Sequence, residues 1–213
     1  MTGSLRGWQS FPEELPEFDP GSTPGTPSEL FLEWLDEAGE HVLAPHAVTL
    51  STVDTDGVPD ARVVILKAVD GGTWAVATSS ESPKGVQLAK NPYAALTFFW
   101  PGRGRQVRLR GPVSPADPEV SAADFTARPP ASRVEVFVGR QSQVLEDPGD
   151  LDRAAEEARR WVEDNPGVAP ETWTRYLVTP SEVEFWQASH DRRHKRLRYR
   201  RENETWRKEH LWP

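Results

Sequence analysis

The chain has no cysteine among its 213 residues. That excludes disulfides, thiolate zinc sites, iron–sulfur clusters and a cysteine nucleophile together. No apolar run approaches the roughly 20 residues that span a bilayer, mean hydropathy is −0.63, and no basic-then-apolar start resembles a signal peptide. A soluble, cytoplasmic protein with no membrane partner is expected. Neither a G-x-x-x-x-G-K-[ST] loop nor a G-x-G-x-x-G after a strand is present, which leaves Walker and Rossmann sites unsupported. There is no H-E-x-x-H, and the five histidines are scattered. His190 and His194 are four apart but on a segment that reads as irregular or extended, so no metal is expected. Basic charge is in deficit, 25 Lys and Arg against 33 Asp and Glu for a net charge of −8. That argues against nucleic acid as a partner held by bulk electrostatics.

What is plentiful is proline, at 20, and tryptophan, at nine. The first points to many short elements, the second to flat surfaces that a core or a planar ligand can use. Charge is also unevenly spread. Residues 1–40 hold nine acidic side chains and one basic one, Arg6, whereas RRHKRLRYRR over 192–201 holds seven Lys or Arg and no acid. A basic strip on an acidic protein suggests a site for a small anion. An edge strand guarded by charge and an RNA contact are the other readings of the same strip.

Residues 1–25, rich in Pro, Gly, Ser and Glu, read as a flexible arm free to dock on a partner subunit. Thr26-Pro27-Ser28-Glu29 has the form of a capping box with Pro at the first helical position, and the helix it opens carries Leu30, Phe31, Trp34, Leu35 and Ala38 on one face. The period then changes. Strands are expected over 47–53, 60–69 and 73–79, a short helix from Ser82-Pro83 to Lys90, and strands over 93–100 and 105–113. Helices follow over 117–128, 130–138 and 151–164, then strands over 175–179, 183–187, 193–201 and 204–208. Successive strands joined by short links favour an antiparallel barrel over a βαβ array. The expected fold is mainly β with flanking helices, one domain over 26–213.

Alternation along 192–201 would place Arg192, His194, Arg196, Arg198 and Arg200 on one face as a cationic ladder. Arg62 and Lys67 bracket the run VVIL and point to opposite faces unless a bulge intervenes. Ser82, with Thr78, Ser79 and Ser80 before it and Lys84 just inside the helix, reads either as a plain helix cap or as part of a phosphate cradle. Gln106 reads as a ladder-edge amide or a reader of a heterocycle.

Taken in order, RVVILK (62–67), TSSESPKG (78–85), NPYAALTFFW (91–100), RQVRLRGPV (105–113), ARPPASRV (127–134), RQSQVL (140–145), VEFWQ (183–187) and the basic strip resemble the pyridoxamine 5'-phosphate oxidase family, from about residue 27 to Pro213. The resemblance implies an FMN-binding split β-barrel that works as a homodimer with FMN at the subunit interface. It places the flavin contacts on Arg62, Val63, Lys67, Thr78, Lys84, Gln106, Gln141, Ser142, Trp186 and Arg196. The substrate contacts fall on Lys67, Arg128, Ser132, Arg192 and His194, with Arg192 and His194 over the reacting ring as the catalytic pair. The implied reaction is hydride transfer from the phosphorylated substrate to flavin N5, with O2 as final acceptor. The chain departs from the family at four of these neighbourhoods: Pro83 stands for Arg, Asp124 for a phosphate-binding Tyr, Arg193 for Leu and Lys195 for Asp. The gating Arg and Tyr of the family's N-terminus have no match around Arg6 and Trp8. Two alternatives stay open, a flavin oxidase acting on another planar anionic aromatic of the phenazine-precursor type and a flavin-binding protein without turnover.

Overall fold

A computed structural model describes residues 5–213. Residues 1–4 of the expected arm and the side chain of Arg6 lie outside the described residues.

Helix α1 (Pro27–Gly39) starts on the capping box: the Thr26 side chain accepts the Glu29 N–H, and the Glu29 carboxylate accepts the Thr26 N–H at 3.1 Å. Two orphan donors of the first turn are satisfied reciprocally. The stripe Leu30, Phe31, Trp34 and Ala38 is buried, and it stoppers a barrel: the Phe31 ring lies 4.8 Å from Phe98 and 5.9 Å from Trp74. The barrel and its flank follow in chain order: β1 (Ala47–Val53), β2 (Pro59–Asp70), β3 (Thr73–Ser79), α2 (Pro83–Lys90), β4 (Tyr93–Trp100), β5 (Arg105–Pro115), α3 (Pro118–Thr126), α4 (Pro130–Val138), α5 (Pro148–Asp164), β6 (Trp173–Val178), β7 (Glu182–Gln187), β8 (Lys195–Glu202) and β9 (Thr205–His210).

Six antiparallel strands in the order β4-β1-β2-β3-β6-β5 close through the β4–β5 pairing. The wall divides at β5, whose residues 105–110 pair with β7 and 113–115 with β6. From β7 the sheet continues through β8 to β9 as a flap outside the closed ring. Gly111 permits the division, because a Cβ there would meet the Thr179 carbonyl oxygen at 2.0 Å, a backbone approach that only glycine tolerates.

Alternation sorts each strand into two faces. Val48 and Leu50, Leu96 and Phe98, Val107 and Leu109, Phe185, Leu197 and Tyr199 turn inward. The outer face leaves Val63 66%, Ile65 42% and Phe99 53% exposed, apolar area of the kind a second surface covers.

Two expectations need correction. The basic strip is not one ladder: β8 begins at Lys195, and Arg192 takes a left-handed backbone with φ 66° in the preceding turn. Arg192 and His194 therefore leave the row. Arg196 is bonded by Glu184 and Arg198 by Glu209, so two of the remaining rungs are already neutralised. The stretch expected to be a flexible arm is docked over much of its described length. Phe18 is buried with its ring 4.9 Å from Trp34, and the carbonyls of Phe18, Thr23 and Pro24 accept from Lys195 at 2.5 Å, Lys208 at 2.6 Å and Tyr199 at 2.9 Å.

Candidate active site

A cavity of about 1070 Å³ opens between β2, β3, the start of α2, and α4 with the loop that follows it. Its deepest charge is Lys84, in the first turn of α2, only 6% exposed. The Lys84 Nζ donates to Thr78 Oγ1 at 3.1 Å and to Gln141 Oε1 at 3.0 Å, both neutral. Burial pushes the Lys84 ammonium below the usual lysine range, the like charge of Arg62 adds to that, and Asp60 opposes it. Arg62 on β2 donates to Thr52 Oγ1 at 2.6 Å, to the Leu50 carbonyl at 3.2 Å and to Gln87 Oε1 at 3.2 Å, and it pairs with Asp60. Thr52 and Gln87 thus hold Arg62 in place, a role that appears only when β1, β2 and α2 are brought together. Ser82 caps α2, its hydroxyl accepting the Gly85 N–H at 3.3 Å, and it also lines the cavity. A nearly buried ammonium with only neutral partners beside a second cation is a donor set suited to a phosphate dianion.

The other end of the same cavity carries Lys67, Arg128 and Ser132. Pairing of β2 with β3 shifts register between Leu66 and Ala68, leaving Lys67 as the extra residue of a bulge. The Arg128 guanidinium stacks 4.4 Å over the Trp173 ring and donates to the Ser132 carbonyl at 2.8 Å. Burial lowers its pKa, with Glu135 and Asp124 acting the other way. The Trp173 indole N–H donates to Asp124 Oδ2 at 3.0 Å, and Asp124 Oδ1 lies 3.7 Å from the Lys67 Nζ. Asp124 therefore offsets one of the two cations at this end.

The remaining residues stand elsewhere. Gln106 on β5, Trp186 on β7 and Arg196 on β8 face one another across the strands in a single row. Arg196 is fixed by two bonds to Glu184, at 2.9 and 2.8 Å. Trp186 leads to His194, ring to ring at 4.8 Å. His194 and Arg192 line a second cavity of about 520 Å³ together with Trp8, Phe11, Ser189 and His190. The two cavities share no lining residue. Ser142, at φ 67° beside Gln141, lines neither. Among the described residues no cluster of His, Asp and Glu could hold a metal, and no helix is long and apolar enough to cross a membrane. Within the single chain the candidate residues do not come together in one cavity. Glu184 was not among the expected residues, though its place two positions before Trp186 puts it on the same face of β7.

The family model for pyridoxamine 5'-phosphate oxidase matches residues 35–162, and that for the pyridoxine 5'-phosphate oxidase C-terminal dimerisation region matches residues 173–213. The chain belongs to the pyridoxamine 5'-phosphate oxidase family. It is 40% identical over 195 residues to the pyridoxine/pyridoxamine 5'-phosphate oxidase of Pseudomonas paraeruginosa, covering 90% of this chain and 91% of that one. Identity to the enzyme of the same name from Legionella pneumophila is 42% over 169 residues, 79% of each chain. Among solved structures, PhzG from Burkholderia lata in complex with tetrahydrophenazine-1-carboxylic acid superposes with a TM-score of 0.84 at 29% identity, over 96% of this chain and all of that one. A pyridoxamine 5'-phosphate oxidase-related, FMN-binding protein from Nostoc punctiforme shares the fold, with a TM-score of 0.73 at 16% identity over 88% and 98% of the two chains. The dimerisation match spans β6 to β9, and so takes in Trp186, Arg192, His194 and Arg196, the candidate residues on the flap.

Proposed function

We propose that this protein is a cytoplasmic, homodimeric FMN-dependent oxidase that converts pyridoxamine or pyridoxine 5'-phosphate to pyridoxal 5'-phosphate. The observation that carries the reading is the pair of cationic groups at the two ends of one cavity, Lys84 with Arg62 and Lys67 with Arg128. Two phosphates of two ligands, cofactor and substrate, need such a pair. FMN, when bound, supplies a two-electron acceptor for the substrate's hydride and returns the electrons to O2.

The chain's own part is binding, orientation and charge. Lys84, Arg62, Thr78 and Gln141 would hold the cofactor phosphate, with the Val63 flank and Ser142 beside it. Gln106, Trp186 and Arg196 offer an amide, a flat apolar wall and a cation to the flavin ring, the last suited to the negative charge that reduction places there. Lys67, Arg128 and the Ser132 region would hold the substrate phosphate, and Arg192 with His194 the substrate ring. Because Arg192 and His194 open on a cavity separate from the phosphate end of the same protomer, this reading has a second copy bring its flap to the first copy's phosphate end. The dimerisation match over that flap and the exposed Val63, Ile65 and Phe99 support this assembly. Holding two rings in contact and excluding water would supply most of the rate, with no strong base required.

Asp124 favours a second reading, oxidation of another planar anionic aromatic, and the likeness to PhzG points the same way. A carboxylate 3.7 Å from Lys67 repels an incoming dianion by about 1 kcal/mol when solvated. Asp124→Asn, which keeps the acceptor for the Trp173 indole, should lower KM for a phosphorylated substrate about fivefold and leave FMN affinity unchanged. An unchanged KM in steady-state oxidase assays would show that no phosphate rests against Asp124.

The main test is spectroscopic. The purified protein should retain FMN, and anaerobic pyridoxamine 5'-phosphate should bleach the flavin band. Flavin that stays oxidised with B6 phosphates but is bleached by an aromatic carboxylic acid moves the assignment to the second reading. A protein that does not take up added FMN overturns both.

A further inference from the structure

We propose that His194 is held as the neutral tautomer with its hydrogen on Nε2 and serves as a hydrogen-bond donor into the ring site, with Asp191 as the positioning residue that enforces this state. What ring it faces rests on the function proposed above; the tautomer does not.

The Ser189 backbone N–H donates to His194 Nδ1 at 3.0 Å. A backbone N–H can only donate, so the Nδ1 lone pair is occupied and the ring's single hydrogen sits on Nε2. The ring plane is set by aromatic walls, Trp186 at 4.8 Å and Phe11 at 6.4 Å. Among the described residues Nε2 has no hydrogen-bond partner, and His194 lines the smaller cavity with Arg192. A donor so placed stabilises negative charge on a ring oxygen or engages a ring-nitrogen lone pair. In this tautomer Nε2 carries the hydrogen and the Nδ1 lone pair is taken by the Ser189 N–H, so the ring offers no free lone pair as a base.

The turn that aims the Ser189 N–H is built on Asp191. Its carboxylate accepts from the Ser189 hydroxyl at 2.5 Å, from the Arg193 backbone N–H at 3.0 Å and from Arg193 Nε at 2.6 Å. Those donors, the Ser189 hydroxyl first, hold the Asp191 carboxyl far below the usual carboxylate range, so the acceptor is present at neutral pH. The same bonds hold Arg192 at φ 66°, a left-handed conformation that costs a non-glycine residue energy and persists only where its surroundings fix it. Asp191 thus sets both residues of the pair at once. It does so from the position immediately before the basic strip of 192–201.

The test is a two-bond proton–nitrogen correlation spectrum of FMN-loaded protein labelled with nitrogen-15 histidine, the His194 signals being assigned by their loss in His194→Gln. At neutral pH the wild type should show the single pattern of an Nε2–H tautomer, and Asp191→Ala should show averaging between tautomers. An Nδ1–H or averaged pattern in the wild type overturns the proposal, and an unaltered pattern in Asp191→Ala overturns the role of Asp191. A second arm reads flavin reduction by whichever substrate bleaches the wild type. His194→Gln, whose amide N–H can reach the place of Nε2–H, should stay within about tenfold of wild type, while His194→Ala should lose on the order of 100-fold, the usual loss for one donor. Equal losses in the two variants, or loss of bound FMN in both, overturn the donor assignment. If no substrate bleaches the wild type, the proposed function fails, and the spectrum still decides the tautomer.

Discussion

Lys84→Met should weaken FMN binding roughly 150-fold while raising the melting temperature of the apo-protein. The two effects have one cause. Lys84 is 6% exposed and meets only the Thr78 hydroxyl and the Gln141 amide, with Arg62 close enough to repel it. Without an anion the buried ammonium is a net cost, and an apolar side chain of similar length removes that cost. With a phosphate present it is a charge-assisted donor, and truncating one member of a buried charged pair costs about 3 kcal/mol, or about 150-fold in Kd. The pH dependence follows from the lowered pKa. As pH rises through that value, below the ordinary lysine range, the ammonium becomes an amine and flavin affinity falls. Apo-protein stability moves the other way in the same window, because the unfolded chain then binds the extra proton. Lys84→Arg keeps its charge and should hold FMN to higher pH. Fluorescence titration of FMN across pH and calorimetry of the apo-protein measure both arms, and a Lys84→Met protein that binds FMN like the parent would place the phosphate elsewhere.

That prediction was half legible in the sequence. Ser82-Pro83 announced a helix start and Lys84 lay just inside it, which is local chemistry. That Lys84 would be buried against Gln141, 57 residues on, depends on how the loop after α4 folds back, and no local pattern encodes it. The same division holds elsewhere. Strand limits were readable because alternation and Gly/Pro turns are local: β3 and β4 were expected over the residues they occupy. The start of β8 was not, because the turn built on Asp191, just before the basic run, carries on through Arg192 and takes the run's first residues out of the strand. Glu184 was readable as a neighbour of Trp186 on one face. Its hold on both Arg108 and Arg196 needs the register of β5, β7 and β8. Least legible was the separation of Arg192 and His194, on one cavity, from the cationic groups that line the other. Sequence order mixes the groups, with Gln106 falling between Lys84 and Gln141, and only the register of β5 with β7 shows that Gln106 stands beside Trp186 and away from the larger cavity.

Glu37→Ala should destabilise the fold by about 3 kcal/mol, lowering Tm by about 6–12 °C for a domain of this size. Glu37 on α1 accepts from Arg105 Nη1 at 2.5 Å and also pairs with Arg103. Arg105 is 3% exposed, stacks 4.2 Å over Trp34 and donates to Gln187 Oε1 at 2.8 Å. Deleting the carboxylate leaves a buried guanidinium with only neutral partners. The figure is the low end for such a loss because Glu37 itself is about a third exposed and water can replace it in part. Replacing both members, Glu37→Leu with Arg105→Met, should recover much of the stability, since the buried guanidinium goes with its partner and only the more exposed Arg103 is left without the carboxylate. Burial tends to raise the Glu37 pKa, but the hydrogen bonds from Arg105 and Arg103 outweigh it and the net shift is downward. The contribution is therefore full above the unfolded carboxyl value and disappears as pH falls through the lower folded one, so Glu37→Ala should also flatten the acid limb of a stability–pH curve. The site shares in this. Arg105 and Gln106 stand opposite Gln187 and Trp186 in the β5–β7 register, so loosening Arg105 loosens the row proposed to face the flavin ring, and FMN affinity should fall in Glu37→Ala and return in the double variant. A Glu37→Ala protein that melts like its parent would mean that Gln187 and Trp34 alone suffice to hold the buried arginine.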